Sequence, residues 1–208
     1  MNFKKLFIIF SVVILFPLIA NAQQRPSIMG VYDGVPGQRF VFDGGQVEVL
    51  EFFSFYCGHC YDFEKYIPVI KGNFPKKIKW KVVPIHWGKG SSKPAEAFFL
   101  ADEAGKGEEM KKALFEAFFI EKKDIGNLEV LERLGAKVGL GFDFSRRLRT
   151  GEKALDAEEA ITRSRIYGID ETPTLIIAGN LKVSPHMLDH NVSILRDNTI
   201  LILRSILK

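Results

Sequence analysis

The chain has 208 residues, 47% of them apolar, a formal net charge of +4 and only two cysteines. That length suits one domain with an insertion, and one cysteine pair excludes a disulfide-stapled scaffold. The charge gives no argument for nucleic acid: no long basic run or base-stacking motif is present, and Lys4 and Lys5 fall in a segment expected to be removed.

Residues 1–22 read as an export signal. Lys4 and Lys5 form the positive start, Leu6 to Ala20 the apolar run, and Ala20-Asn21-Ala22 the small-residue cleavage site. An uncleaved N-terminal anchor is the alternative. Export places a dithiol where disulfides persist. Gln23 to Met29 reads as a flexible start. Gln38 to Phe42 alternates weakly and ends at the turn signal Asp43-Gly44-Gly45, which predicts a first, edge strand.

Val47 to Phe53 is dense in branched and aromatic residues and predicts a buried strand. Cys57-Gly58-His59-Cys60 follows at once. From there Tyr56, Cys60, Phe63, Ile67 and Ile70 fall at helical spacing, so Cys57 is expected in the first turn of a helix and Cys60 one turn deeper. Unsatisfied N–H groups and the helix dipole at that terminus favour an anion. The pattern gives a reactive thiolate at Cys57 with a resolving thiol beneath it. Pro68 cannot donate to the carbonyl of Glu64, so a kink is expected, and Gly72-Asn73-Phe74-Pro75 ends the helix. Ile78 to Val83 alternates with lysine and predicts a second strand, parallel to the first.

Beyond Gly88 the strand signal stops. Pro94–Ala104, Glu108–Ile120, Asn127–Ala136 and Asp143–Tyr167 carry helical periodicity, with Asn127 and Asp143 as N-caps and Gly151 breaking the last segment. Thr174–Ala178, Gly179-Asn180 and Leu181–Val183 predict a hairpin. After Ser184-Pro185 a final helix buries Leu188, Val192, Leu195, Thr199, Ile202 and Ile206.

Two segments carry a resemblance. Glu51-Phe-Phe-Ser-Phe-Tyr-Cys-Gly-His-Cys-Tyr-Asp-Phe-Glu64 resembles the active-site segment of the DsbA family of periplasmic thiol oxidases. Gly168-Ile-Asp-Glu-Thr-Pro173-Thr-Leu-Ile-Ile-Ala-Gly-Asn180 resembles the cis-proline segment of the thioredoxin superfamily. The resemblance implies an α/β, thioredoxin-like fold with a central mixed β-sheet, formed by residues 23–88 and 169–208, and an inserted all-helical subdomain at 89–168. It implies that Pro173 is cis and packs on the cysteine pair, and that the Thr172 backbone, with Gly58 and His59, holds an extended substrate. An acid matching Glu51, and another matching Glu64, would serve proton transfer at the buried cysteine.

On this reading Cys57 and Cys60 form a redox disulfide that needs no cofactor or metal. The protein would be a monomer acting on unfolded exported proteins and reoxidised by a membrane quinone reductase of the DsbB type. An imidazolium at His59 would add positive charge beside Cys57. Thiols in such motifs fall as low as about 3.5 from about 8.5, which corresponds to roughly 6.8 kcal/mol. Relatives commonly carry Pro where this chain has Gly58, which leaves the redox poise open. The rivals are an isomerase or reductase of the same fold and a copper-binding thioredoxin-like chaperone. His86, His186 and His190 are scattered at strand ends and loops, and with the cysteines they match no zinc spacing. Phe98, Phe99, Phe115, Phe118 and Phe119 read as the core of the insertion, with some free to form an apolar groove.

Overall fold

Every residue of β2 (Val47–Phe53) except Glu48 is buried, as a strand covered on both faces requires. It runs beside β3 (Ile78–Pro84), parallel, with Val47 opposite Ile78 and Phe53 opposite Pro84. Lys79 and Lys81 of β3 are exposed, which gives the lysine alternation its meaning: β3 is a sheet edge. On its other side β2 pairs antiparallel with β4 (Thr174–Ile177), and β4 with β5 (Leu181–Val183). The five-stranded mixed sheet has the order β1-β5-β4-β2-β3. The computed structural model describes residues 27–88 and 90–208, so the expected signal segment lies outside it.

The first strand differs from expectation. β1 is the dipeptide Asp33–Gly34, paired with β5, and residues 38–42 form no strand. The hairpin turn explains this. Ala178 and Gly179 both have left-handed backbone, at φ +49° and +83°, so residues 38–42 meet the turn through isolated bonds and not a ladder: Val41 N–H donates to the Ala178 carbonyl at 2.8 Å and Asn180 Nδ2 to the Gln38 carbonyl at 3.4 Å. A side chain at Gly179 would stand 2.8 Å from the Arg39 carbonyl oxygen, so only glycine allows this approach.

The helix after β2 is interrupted as Pro68 requires. α1 (Gly58–Phe63) passes into a 3-10 turn at Glu64–Tyr66, and α2 (Ile67–Asn73) begins afresh with the proline in its first turn. Five helices fill the interval between β3 and β4: α3 (Lys93–Glu103), α4 (Gly107–Phe115), α5 (Leu128–Lys137), α6 (Phe142–Arg149) and α7 (Ala154–Ile166). Asn127 caps α5 as expected, its side chain accepting from the N–H groups of Glu129 and Val130. The cap of α6 is Gly141; Asp143 lies inside the first turn, paired with Arg146 at 2.6 Å. Gly151, at φ +68°, divides α6 from α7. α8 (Val192–Ile206) buries Leu195, Thr199, Ile202 and Ile206 under the sheet, while Leu188 belongs to a separate 3-10 turn, Pro185–Leu188.

Three apolar centres result, the smallest of them packing Ala160 of α7 against Leu50, Phe52, Val83 and Ile176 of the sheet. Of the two larger, one joins α1, α2 and α8 to the sheet, and the other fills the helical insertion and reaches Phe53, Phe55 and Cys60. Inside the insertion α5 rests on α6 through Gly135, whose missing side chain leaves room for the buried ring of Phe144. Helix propensity favours alanine there by about 1 kcal/mol, but overpacking costs about 1–3 kcal/mol. Gly135→Ala should therefore lower the urea midpoint; a raised midpoint would mean that Phe144 moves aside freely.

Candidate active site

The end of β2 delivers the chain to the top of the sheet, and Ser54 to Tyr56 turn it into α1. Cys57 is the N-cap of that helix, with extended backbone at φ −98° and ψ 118°, one position before the first turn where the sequence pattern put it. The capping position is what a thiolate needs. Its Sγ accepts from the Cys60 N–H at 3.3 Å, an N–H that the helix itself leaves unpaired. Cys57 is partly exposed, whereas Cys60 is fully buried, and both are free thiols.

These surroundings split the two sulfurs. Cys57 is lowered to about 6. The largest cause is a hydrogen bond from the Cys60 thiol. Burial opposes it, and the Thr172 side chain, the Cys60 N–H and the His59 charge follow in that order. Burial pushes Cys60 well above the ordinary thiol value, and the Cys57 sulfur beside it adds to the rise. The His59 charge expected beside Cys57 acts in the expected direction, but the residue is exposed and its influence is the smallest of the five. An exposed imidazole is screened by water, whereas the Cys60 donors act at contact.

Thr172 and Pro173 come from the far end of the chain and close over Cys57. The Thr172–Pro173 peptide is cis, and the Thr172 carbonyl oxygen lies 3.2 Å from Cys57 Sγ, where it accepts from the thiol. That carbonyl favours the thiol form while the Thr172 side chain favours the thiolate. Gly58 opens α1, and a methyl group there would meet only Phe119, at 3.9 Å. Nothing in its surroundings requires this residue to be glycine.

Glu51 has no hydrogen bond to either cysteine. It is fully buried, and its Oε2 accepts from Trp80 Nε1 at 3.0 Å and from Lys111 Nζ at 3.3 Å. Lys111 also pairs with Glu64 at 2.7 Å and stands 4.3 Å over the ring of Phe53. One cation thus serves two carboxylates. Burial drives the Glu64 carboxyl up, and the Glu51 charge adds to it against Lys111. Glu51 Oε1 has no partner among the described residues. A groove of about 810 Å³, lined by Tyr61, Glu64, Trp80, Lys111 and Phe115 among others, opens this cluster to solvent.

Lys111 is the residue that the sequence reading missed. It sits on α4 with Gly107, Leu114 and Phe115 at spacings of three and four, all buried, so its place on the apolar stripe was the available signal. The aromatic residues divide as well. Phe98 and Phe115 are core, but Phe118 and Phe119 stand on a π-helical turn, Glu116–Ile120, that continues α4. Phe118 meets Tyr56 edge-on at 5.2 Å, and Phe119 stacks on Tyr61 at 5.0 Å, so both flank the cysteines.

Comparison with known proteins identifies the fold that carries this site. Residues 48–193 match the model of the DSBA-like thioredoxin domain. The thiol:disulfide interchange protein DsbA of Burkholderia cepacia is 25% identical over 145 residues, 68% of this chain and 67% of the relative. That of Azotobacter vinelandii is 24% identical over 152 residues, covering 73% and 71%. Among solved structures, Pseudomonas aeruginosa DsbA superposes with a TM-score of 0.66 at 21% identity, covering 85% of this chain and 93% of that one. Xylella fastidiosa DsbA gives 0.65 at 23%, covering 85% and 92%.

Two substitutions check the order of influences on Cys57. Cys60→Ala removes the leading hydrogen bond and should raise the thiolate midpoint, followed by ultraviolet absorbance, further from about 6 than His59→Ser does. The reverse order would make His59 the main influence. Lys111→Met leaves the buried Glu51 and the half-buried Glu64 without their cation and should cost about 3–5 kcal/mol in denaturant unfolding, with part recovered on adding Glu64→Gln. A loss below about 1 kcal/mol, the size of an exposed pair, would mean the cluster is solvated.

Proposed function

We propose the following chemistry for this chain, which belongs to the DSBA-like thioredoxin domain family. It is a thiol:disulfide oxidoreductase of thioredoxin-like fold, and it donates the Cys57–Cys60 disulfide to exported proteins as they fold. A substrate thiolate attacks Cys57 Sγ, the Cys57–Cys60 bond breaks, and Cys60 leaves with the electron pair and takes up a proton. A second substrate thiolate then attacks the substrate sulfur of the mixed disulfide and expels Cys57 as a thiolate. Two substrate thiols are oxidised and the protein dithiol is left reduced.

The single observation that carries the donor direction is the N-cap position of Cys57 with its contact donors. A stabilised thiolate is a good leaving group and favours the reduced protein. With Cys57 at about 6 against an ordinary thiol near 8.5–9, the gain at pH 7 is about 1.4 kcal/mol, or about 30 mV for a two-electron couple. This is well short of the roughly 4.7 kcal/mol that a fall to about 3.5 would give at the same pH. A modest gain leaves room for the isomerase or reductase reading, and the equilibrium with glutathione separates them.

The Thr172 backbone, with Pro173, Gly58 and His59 around it, would hold an extended substrate strand against Cys57. Glu51, through the Lys111 and Glu64 cluster and its groove, would relay the proton that Cys60 gains and loses. No cofactor is needed, since the dithiol carries both electrons. The working place is the periplasm after loss of residues 1–22. The protein acts as a monomer and is reoxidised by a DsbB-type quinone reductase.

Two measurements test this. With a reduced two-cysteine peptide, Cys60→Ser should trap a mixed disulfide at Cys57, and Cys57→Ser should trap none; trapping at neither overturns the exchange reading. The second uses linkage. The folded thiolate is depressed, so its stabilisation is fully present above about 9 and is lost as pH falls through about 6. The oxidised form has no such group. The stability of the reduced form relative to the oxidised should therefore rise by about 1.4 kcal/mol per pH unit across that window. A difference that stays flat from pH 6 to pH 9 would remove the thiolate as the source of oxidising power.

A further inference from the structure

β3 ends the sheet and so pairs on one side only. At its start the Val47 N–H donates to the Lys77 carbonyl at 2.9 Å, and past its end the Ile85 N–H donates to the Phe53 carbonyl at 2.8 Å. In a parallel ladder every second residue of a strand turns both backbone groups to the same neighbour. Residues 77, 79, 81, 83 and 85 therefore serve β2, while Ile78, Trp80 and Val82 turn their N–H and carbonyl groups outward. Among the described residues no bond beyond the ladder takes these groups up.

The two faces of this edge differ in chemistry. Side chains alternate along a strand, which puts Lys79, Lys81 and Val83 on one face and Trp80 and Val82 on the other. Both lysines are exposed; Lys81 is paired with Glu48 at 2.6 Å, and Lys79 has no acid partner among the described residues. α7 packs on the lysine face, where Ala160 and Val83 share an apolar cluster. Three residues on, the half-buried Arg163 lines an opening of about 330 Å³ with Trp80, Lys81 and Val82. Arg163 has no ion pair among the described residues, since Asp156 in the adjoining cleft is bound to Lys153. The acids of the opening, Asp102 and Glu108, come from the helical insertion, and Glu108 reaches Lys71 at 3.8 Å. On the other face Trp80 and Val82 border the groove of about 810 Å³.

We propose that β3 accepts a short extended segment of another protein as an added strand, one that alternates acidic and apolar residues. Its backbone pairs with the outward groups of Trp80 and Val82. Its acids lie beside Lys79 and Arg163, and its apolar side chains enter the groove beside Trp80. Main-chain bonds supply affinity in this mode, and alternate side chains supply specificity. The lysine face selects the occupant. A second copy of this chain, edge to edge, would set lysine against lysine, which is how edge strands resist self-pairing; an acidic strand reverses the sign. The inference is independent of the exchange chemistry proposed above, because neither cysteine takes part.

The test uses the whole mature chain in its oxidised form and a short, labelled, cysteine-free peptide that alternates glutamate and valine. Fluorescence anisotropy should show saturable binding at submillimolar concentration. The same peptide N-methylated at the alternate residues that face β3 keeps its charge and loses its main-chain donors, so it should bind more weakly by roughly tenfold or more. Lys79→Glu and Arg163→Gln, neither in the protein core, should each weaken binding by roughly twofold to fivefold. In NMR spectra the amide signals of Trp80 and Val82 should shift first as peptide is added. Absence of saturation at millimolar peptide, equal affinity for the N-methylated peptide, unchanged affinity in the Lys79→Glu variant, or shifts centred on the Thr172 loop overturns the proposal. So does a dimer in sedimentation that Val82→Pro abolishes, since proline at a strand edge removes only an outward N–H and its effect would assign the edge to a second copy.

Discussion

The site depends on one register: Phe52 of β2 stands opposite Thr174 of β4. Because the two strands are antiparallel, the residue leaving β2 toward Cys57 and the residue entering β4 from Pro173 lie at the same end of the sheet. A slip of one residue would turn Thr174 and Glu51 to the opposite face. The register is held by burial, since Leu175, Ile176 and Ile177 of β4 and Val49, Leu50 and Phe52 of β2 are all inside. Two segments separated by 115 residues thus meet at one sulfur atom.

That sulfur is tuned by contact more than by the fields of distant charges. The helix supplies an unpaired N–H, the second cysteine supplies a thiol, and the helical insertion supplies the walls. Burial acts on both cysteines in the same sense, but only Cys57 has donors enough to overcome it. The site therefore separates a reactive sulfur from a resolving one by solvent access and hydrogen bonding together.

The helical insertion is joined to the sheet by more than apolar packing. Lys111 reaches from α4 to Glu51 on β2 and to Glu64 beyond α1, so three elements share one buried cation. Such a group is costly unless all its partners are present, which ties the position of α4 to that of the active-site helix. The π turn that ends α4 then sets Phe118 and Phe119 against Tyr56 and Tyr61. Insertion, helix and sheet are in this way brought to one place.

Much was legible in the amino-acid order alone. The β2 run, the cysteine pair at its end, the break at Pro68, the Asn127 cap and the β4–β5 hairpin are all local signals, written in propensity and spacing over a few residues. Even the helical character of the segments between β3 and β4 followed from their period. What the tertiary structure decided was every relation across distance. It put Cys57 on the cap and not in the first turn, placed Thr172 on its sulfur, and made β1 a dipeptide because the Ala178–Gly179 curl admits no longer ladder. It also gave Glu51 its partner. A lysine on an apolar stripe does not name the carboxylate it will meet, since that pairing is set by packing between elements and not by any spacing along the chain.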